Sequence, residues 1–87
     1  MENVTMITRI LIANRGEIAR RVMRTARDMG ISTVAIYAEG DVNAPFVKEA
    51  DIAIPLKGRT SAETYLDVEQ VLNACKTSGA DAVHPGY

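Results

Sequence analysis

The stretch Arg9-Ile10-Leu11-Ile12-Ala13-Asn14-Arg15-Gly16-Glu17-Ile18-Ala19 changes character in its middle. Its first five residues form a short apolar run with β-branched members, the pattern of a buried strand. Asn14-Arg15-Gly16 breaks that run with residues that favour a turn. From Glu17 to Met29 the spacing turns helical. Ile18, Val22, Ala26 and Met29 recur three or four residues apart, and Gly30 follows where a helix end favours glycine. A strand, a sharp break and an amphipathic helix make the first half of a βαβ unit.

The rest of the chain repeats this alternation. Thr33 to Tyr37 reads as a second strand, and Ala38 to Ala44 as a loop of small and polar residues. Pro45 can open a short helical turn through Ala50, because proline is tolerated at the first helical position. Asp51 to Ile54 reads as a third strand, ended by Pro55, and Lys57 to Ser61 as a polar loop. Glu63 to Ser78 is predicted to be a helix whose apolar stripe is Val68, Val71, Leu72 and Cys75, closed by Gly79. Asp81 to Val83 is a fourth strand, left by His84-Pro85-Gly86-Tyr87. Continuous apolar strands alternating with amphipathic helices predict an α/β fold: a Rossmann-like parallel sheet flanked by helices.

Composition narrows the function. The 87 residues are 47% hydrophobic, which fits a globular chain and not a disordered one. A domain of this size buries only about 60% of the surface its unfolded chain exposes, so it is marginal by itself. Cys75 is the one cysteine and His84 the one histidine, which rules out an internal disulfide and makes no zinc set. A net charge of −1 excludes a dedicated nucleic-acid binder. The charge is uneven, with six arginines against three acids in residues 1–30 and four basic against eight acidic groups after them. No apolar run reaches the roughly 20 residues of a membrane span, and the start lacks a secretory pattern. The expected location is cytoplasmic.

Ligands of open parallel sheets bind beyond the carboxyl ends of the strands. The first such loop, Asn14-Arg15-Gly16-Glu17, has one glycine where a dinucleotide fingerprint needs three. Glu17 would also place a carboxylate in the positive field of the helix start, where a phosphate would sit. Nicotinamide-type binding is therefore disfavoured, although Glu39 follows the second strand at the distance of a ribose contact. Arg15 and Glu17 read as a turn with a dipole-favoured acid, or as a loop held for docking. Arg20, Arg21, Arg24 and Arg27 read as a solvated helix face, or as a protein contact of the kind guanidinium groups favour. His84-Pro85-Gly86-Tyr87 is a tight turn, or a histidine and an aromatic ring facing a substrate. Cys75, in the apolar stripe, reads as an inert buried thiol.

Taken together these segments resemble the N-terminal domain of biotin carboxylase, the domain that precedes the ATP-grasp. Residues Ile10 to Ala19, with Arg21 and Arg24, carry one end of the resemblance. Gly30-Ile31, Thr33-Val34-Ala35, Ala50-Asp51 and Tyr65-Leu66 carry the middle, and Gly79 to Tyr87 the other end. The chain departs from the family pattern at Phe46, where a histidine is common, and at Ile52, where a glutamate often follows the Ala-Asp pair.

The resemblance implies residues 1–8 as an N-terminal extension and 9–87 as a biotin carboxylase N-terminal domain that is incomplete at its C-terminal end. It implies an ATP-dependent ligase when full length, carboxylating carrier-bound biotin with bicarbonate in acyl-CoA carboxylases and fatty acid metabolism. The corresponding segment of pyruvate or urea carboxylase stays open, as does a non-catalytic α/β dimerisation module. ATP, Mg and biotin are the cofactors of the full-length enzyme, and the fragment alone is expected to bind none of them and to be inactive. The implied partners are the remainder of the chain, the biotin carboxyl carrier protein, a carboxyltransferase and a second copy in a homodimer. Tyr87 matches a tyrosine of the biotin pocket. Arg21, Arg24 and Asp28 match or adjoin the dimer contact. Asn14, Arg15, Gly16, Glu17, His84, Pro85 and Gly86 are implied as structural loop residues, with no catalytic or metal-binding residue in the segment.

Overall fold

The computed structural model describes residues 6–85. Four strands, β1 (Arg9–Ile12), β2 (Ser32–Tyr37), β3 (Ile52–Pro55) and β4 (Ala82–His84), alternate with helices α1 (Gly16–Asp28), α2 (Pro45–Glu49) and α3 (Val68–Ser78). The sheet order is β3-β2-β1-β4, and every neighbouring pair is parallel. The predicted Rossmann-like architecture is what forms. Leu11 and Ile12 in β1 and Val34, Ala35 and Ile36 in β2 are fully buried, so both faces of the central strands are covered. Helix α1 packs with α2 on one face, while α3 covers β2 and β3 from the other. Right-handed crossovers force this division, because the chain runs from β1 outward to β3 and then returns across the sheet to β4.

Each helix packs part of the predicted stripe, Val22 and Ala26 in α1 and Val71 and Cys75 in α3, and turns the rest outward. In α1 the core contacts are Ala19, Met23 and Ala26, while Ile18 and Met29 stay exposed. In α3 the buried residues are Ala74 and Ser78, while Val68 and Leu72 are exposed. Ala19 and Ala26 flank the fully buried Met23 in α1, and Ala74 is buried in α3. The end of α1 does follow the prediction. Gly30, at φ 76°, donates to the Arg27 carbonyl at 3.0 Å, and Ile31 donates to that of Ala26 at 2.8 Å.

Helix α3 begins at Val68 and not at Glu63. Thr60 and Glu63 cap each other first. The Glu63 carboxylate accepts from the Thr60 N–H at 3.1 Å, and the Thr60 hydroxyl accepts from the Glu63 N–H at 3.2 Å. That pair sets up turns over residues 61–66. A second cap, the Asp67 side chain accepting from the Gln70 N–H at 3.2 Å, then starts the helix. His84, expected to leave β4, instead closes it. The family departures enter the apolar packing: Phe46 is buried, and Ile52 packs against the core.

Two acids clamp strand starts. Asp51 accepts from the Thr33 N–H at 2.8 Å and from its hydroxyl at 3.1 Å, one strand over. Asp81 accepts from the Thr8 N–H and hydroxyl and from the Arg9 N–H, which fixes the β1–β4 register. These bonds hold both carboxyls below their ordinary range.

Candidate functional site

The loops at the carboxyl ends of the strands form the candidate site. After β1, Gly16 takes φ 62°, with open space where a Cβ would stand, so conformation alone favours glycine there. Arg15 then turns back over the loop that follows β2. Its guanidinium carbon lies 5.6 Å from the Tyr65 ring centroid, and its Nη2 is 3.5 Å from Asp41 Oδ2. The Tyr65 hydroxyl donates to Asp41 at 2.9 Å and accepts from the buried Ala38 N–H at 3.1 Å. Burial, with the Asp41 contact behind it, pushes the Tyr65 phenol up to about 12. Spacing in the sequence does not mark Tyr65 and Asp41 as site residues. The helical reading of residues 63–66 hides the turn that aims Tyr65 at this loop.

The phosphate position of a dinucleotide fold has an acid beside it. Glu17, in the first turn of α1, pairs with Arg24 at 3.2 Å and with Arg20 at 3.7 Å. An acid thus stands in the first helical turn, and Arg15 is engaged with Asp41 and Tyr65. These residues do not fit a nucleotide phosphate. Among the described residues no cluster of three acid, histidine or cysteine side chains could hold a metal ion. Glu39 turns to the chain itself, accepting from the Gly58 N–H at 3.3 Å and pairing with Arg59 at 3.6 Å.

The arginine face divides. Arg20 makes a two-pronged contact with Glu49 at 2.9 and 3.0 Å, and Arg27 donates to the Glu49 carbonyl at 2.8 Å, so both tie α1 to α2. The Arg20 guanidinium holds the Glu49 carboxyl below its ordinary range. Arg24 is held by Glu17 on its own helix. Arg21 is exposed and lies beside a groove lined by Ile10, Ile18, Val22 and Met29 on the α1 side of β4. A second open apolar groove, lined by Leu66, Val68, Leu72 and Val83, lies on the other side. Cys75 is half-buried, and burial pushes its thiol up, away from the reactive thiolate.

Asn14 joins the first loop to the last. Its side-chain amide donates to the Pro85 carbonyl at 2.8 Å and lies 3.3 Å from His84 Nδ1. The structure therefore brings together Asn14, His84 and Pro85 from the predicted loop set. Gly86 and Tyr87 lie outside the described residues.

The model of the family described as biotin carboxylase, N-terminal domain, matches residues 6–87. The chain belongs to the biotin carboxylase N-terminal domain family. Among similar proteins is the biotin-dependent acyl-coenzyme A carboxylase alpha3 subunit of Mycobacterium leprae. It is 57% identical over 81 residues, covering 93% of this chain and 14% of that protein. The crystal structure of a complete multifunctional pyruvate carboxylase from Rhizobium etli superposes with a TM-score of 0.85 at 46% identity, covering 93% of this chain and 9% of that one. The crystal structure of the K. lactis urea amidolyase superposes with a TM-score of 0.89 at 51% identity, covering 93% of this chain and 5% of that one. The family thus includes acyl-CoA carboxylase, pyruvate carboxylase and urea amidolyase relatives, and the chain spans less than a fifth of each. No helix among the described residues is long and apolar enough to cross a membrane.

Proposed function

We propose that this chain serves as the front segment of a biotin carboxylase, of the acyl-CoA carboxylase type, and is inactive by itself. Residues 9–87 would then belong to the N-terminal domain, with residues 1–8 as an extension, in a cytoplasmic enzyme. The observation that carries the reading is the loop after β1. Glu17 sets an acid in the first turn of α1 and Arg15 turns to Asp41 and Tyr65, a loop ill suited to phosphate, in a fold whose relatives are carboxylases. MgATP in the full-length enzyme would supply the energy to activate bicarbonate for transfer to biotin. The residues described here would not hold the nucleotide or the metal. They would build a scaffold against which the rest of the enzyme, its carrier protein and its carboxyltransferase assemble. Tyr87 is assigned to the biotin pocket by family resemblance. The acyl-CoA type is favoured over the pyruvate and urea types by the 57% identity to the M. leprae relative.

Purified 87-residue chain is expected to show no bicarbonate-dependent ATP hydrolysis, and turnover above a mock preparation would refute that. The same chain, grafted in place of its counterpart in the M. leprae enzyme, should support the reaction.

A second reading, a homodimer contact through Arg21, Arg24 and Asp28, rests on Arg21. It is exposed and beside the apolar α1 groove, while the other three arginines of α1 make ion pairs or hydrogen bonds within the chain. Arg21→Glu in the graft is expected to weaken self-association in sedimentation. An unchanged sedimentation profile would remove the interface.

A further inference from the structure

The loop between β3 and α3 has buried ends and an exposed middle. Leu56 on one side and Thr64 and Tyr65 on the other are buried, while none of residues 57–63 between them is. Hydrogen bonds, and not apolar packing, therefore hold this middle in place. One side chain supplies three of them. Gln70, in the first turn of α3, accepts from the Lys57 N–H at 2.8 Å and donates to the Lys57 carbonyl at 2.9 Å. The same amide nitrogen also donates to the Glu63 carbonyl at 2.6 Å, which uses both of its protons. Gln70 thus ties the two ends of the segment 57–63 to one point. Those ends lie close already, since a Cβ on Gly58 would stand 2.7 Å from the Glu63 Cβ. Inside the loop the Glu63 carboxylate accepts from the Arg59 and Thr60 N–H groups at 3.0 and 3.1 Å. A surface loop closed at its neck and filled by its own side chains is a compact unit. Beyond the neck it meets Glu39, just after β2. The Glu39 N–H donates to the Gly58 carbonyl at 3.0 Å, and its carboxylate accepts from the Gly58 N–H and pairs with Arg59.

We propose that residues 57–63 are a strap that opens and closes as one unit on a sheet that stays folded, with Gln70 as its latch. Closed, the strap occupies the Glu39 carboxylate at the carboxyl end of β2, the side of a parallel sheet where ligands bind. Open, it leaves that carboxylate to solvent. The buried Leu56 and Thr64 are its fixed points. Opening breaks hydrogen bonds and uncovers no core residue, which puts it at the low-stability end of the molecule's motions.

The test is amide hydrogen exchange, followed by NMR, on the 87-residue chain and its Gln70→Glu variant. Glutamate keeps an acceptor for Lys57 and suits the third position of a helix, but it has no proton for the two carbonyls. The Gly58, Arg59 and Thr60 N–H groups have their acceptors on Glu39 and Glu63, which the substitution leaves in place. These three amides are expected to exchange about tenfold faster in the variant, by a common factor, while amides of β1 and β2 keep their wild-type rates. A change confined to Lys57, or no change, would overturn the strap, because the segment would not be moving as a unit. So would an equal acceleration in β1 and β2, which marks loss of the whole fold. Gln70→Ala removes the amide without adding a charge and should give the same pattern. An effect of glutamate alone would mark repulsion and overturn the latch. If the isolated chain shows no protected sheet amides, the comparison is made by mass spectrometry on peptides spanning residues 58–63 and the two strands in the M. leprae graft, with the same deciding outcomes.

Discussion

Tyr65 does more for the loops than its place in the sequence announces. Its hydroxyl satisfies the Ala38 N–H, which is buried, and donates onward to Asp41, while its ring carries the Arg15 guanidinium. Tyr65→Phe keeps the ring and strands the Ala38 donor, which should cost about 1–3 kcal/mol in chemical unfolding. An unchanged unfolding midpoint would contradict this role. The same contacts predict an alkaline signature. The folded phenol titrates near 12 and not at its ordinary 10.0. Its contribution to stability is complete below 10 and is lost as pH rises toward 12, because the unfolded chain gives up the proton first. Phenolate absorbance should show one of the three tyrosines titrating late in the wild type, and no such late component in Tyr65→Phe. Tyr65 was legible only as part of the family resemblance. Its work depends on a turn built by Thr60 and Glu63, whose mutual capping competes with the helix that the apolar spacing favours.

Strand and helix existence, by contrast, was plain in the chain. The change from continuous apolar run to helical period at Asn14-Arg15-Gly16 marks β1 and α1 within a residue or two of where they form. Which face of each helix meets the sheet was plain only in part. Hydrophobic spacing favours Ile18, Val22, Ala26 and Met29 in α1; Ala26 takes the contact and Val22 packs at its edge, while Ala19 and Met23 are buried in place of Ile18 and Met29. The strand clamps had a signal that could have been read: an Ala-Asp pair immediately precedes both β3 and β4. Each aspartate reaches across to the start of a neighbouring strand. For Asp81 the carboxylate bonds to Thr8 and Arg9 hold its pKa below the ordinary 3.8. A lowered value gives stability that is full above the ordinary pKa and is lost as pH falls through the folded one. Asp81→Asn should therefore be less stable than wild type at neutral pH, with the gap closing as pH drops below about 4. A gap that stays constant across that range would show that the charge on Asp81 contributes nothing to the β1–β4 clamp.

At the scale of the molecule, the fold and the function part company. A parallel sheet of order β3-β2-β1-β4 is shared by many nucleotide-binding proteins, and its architecture alone would have pointed to a phosphate beyond β1. The side chains there decide otherwise. Glu17 brings a negative charge to the start of α1, and Arg15 is spent on Tyr65 and Asp41. The single glycine of the loop after β1 and the place of Glu17 were legible in the sequence; the pairs made by Glu17 and Arg15 were not. The hydrogen bond from Asn14 to the Pro85 carbonyl was not legible, because it joins residues 71 apart through a strand pairing that spacing does not encode. The central claim is that this segment supports biotin carboxylation as a scaffold, with the nucleotide held elsewhere. Bicarbonate-dependent ATP hydrolysis, measured side by side for the isolated chain and for the M. leprae enzyme carrying it as a graft, tests that claim most directly. The account predicts no turnover from the isolated chain and a rate with the parent's KM for ATP from the graft. Turnover by the isolated chain, or a graft that folds but is inactive, would contradict it.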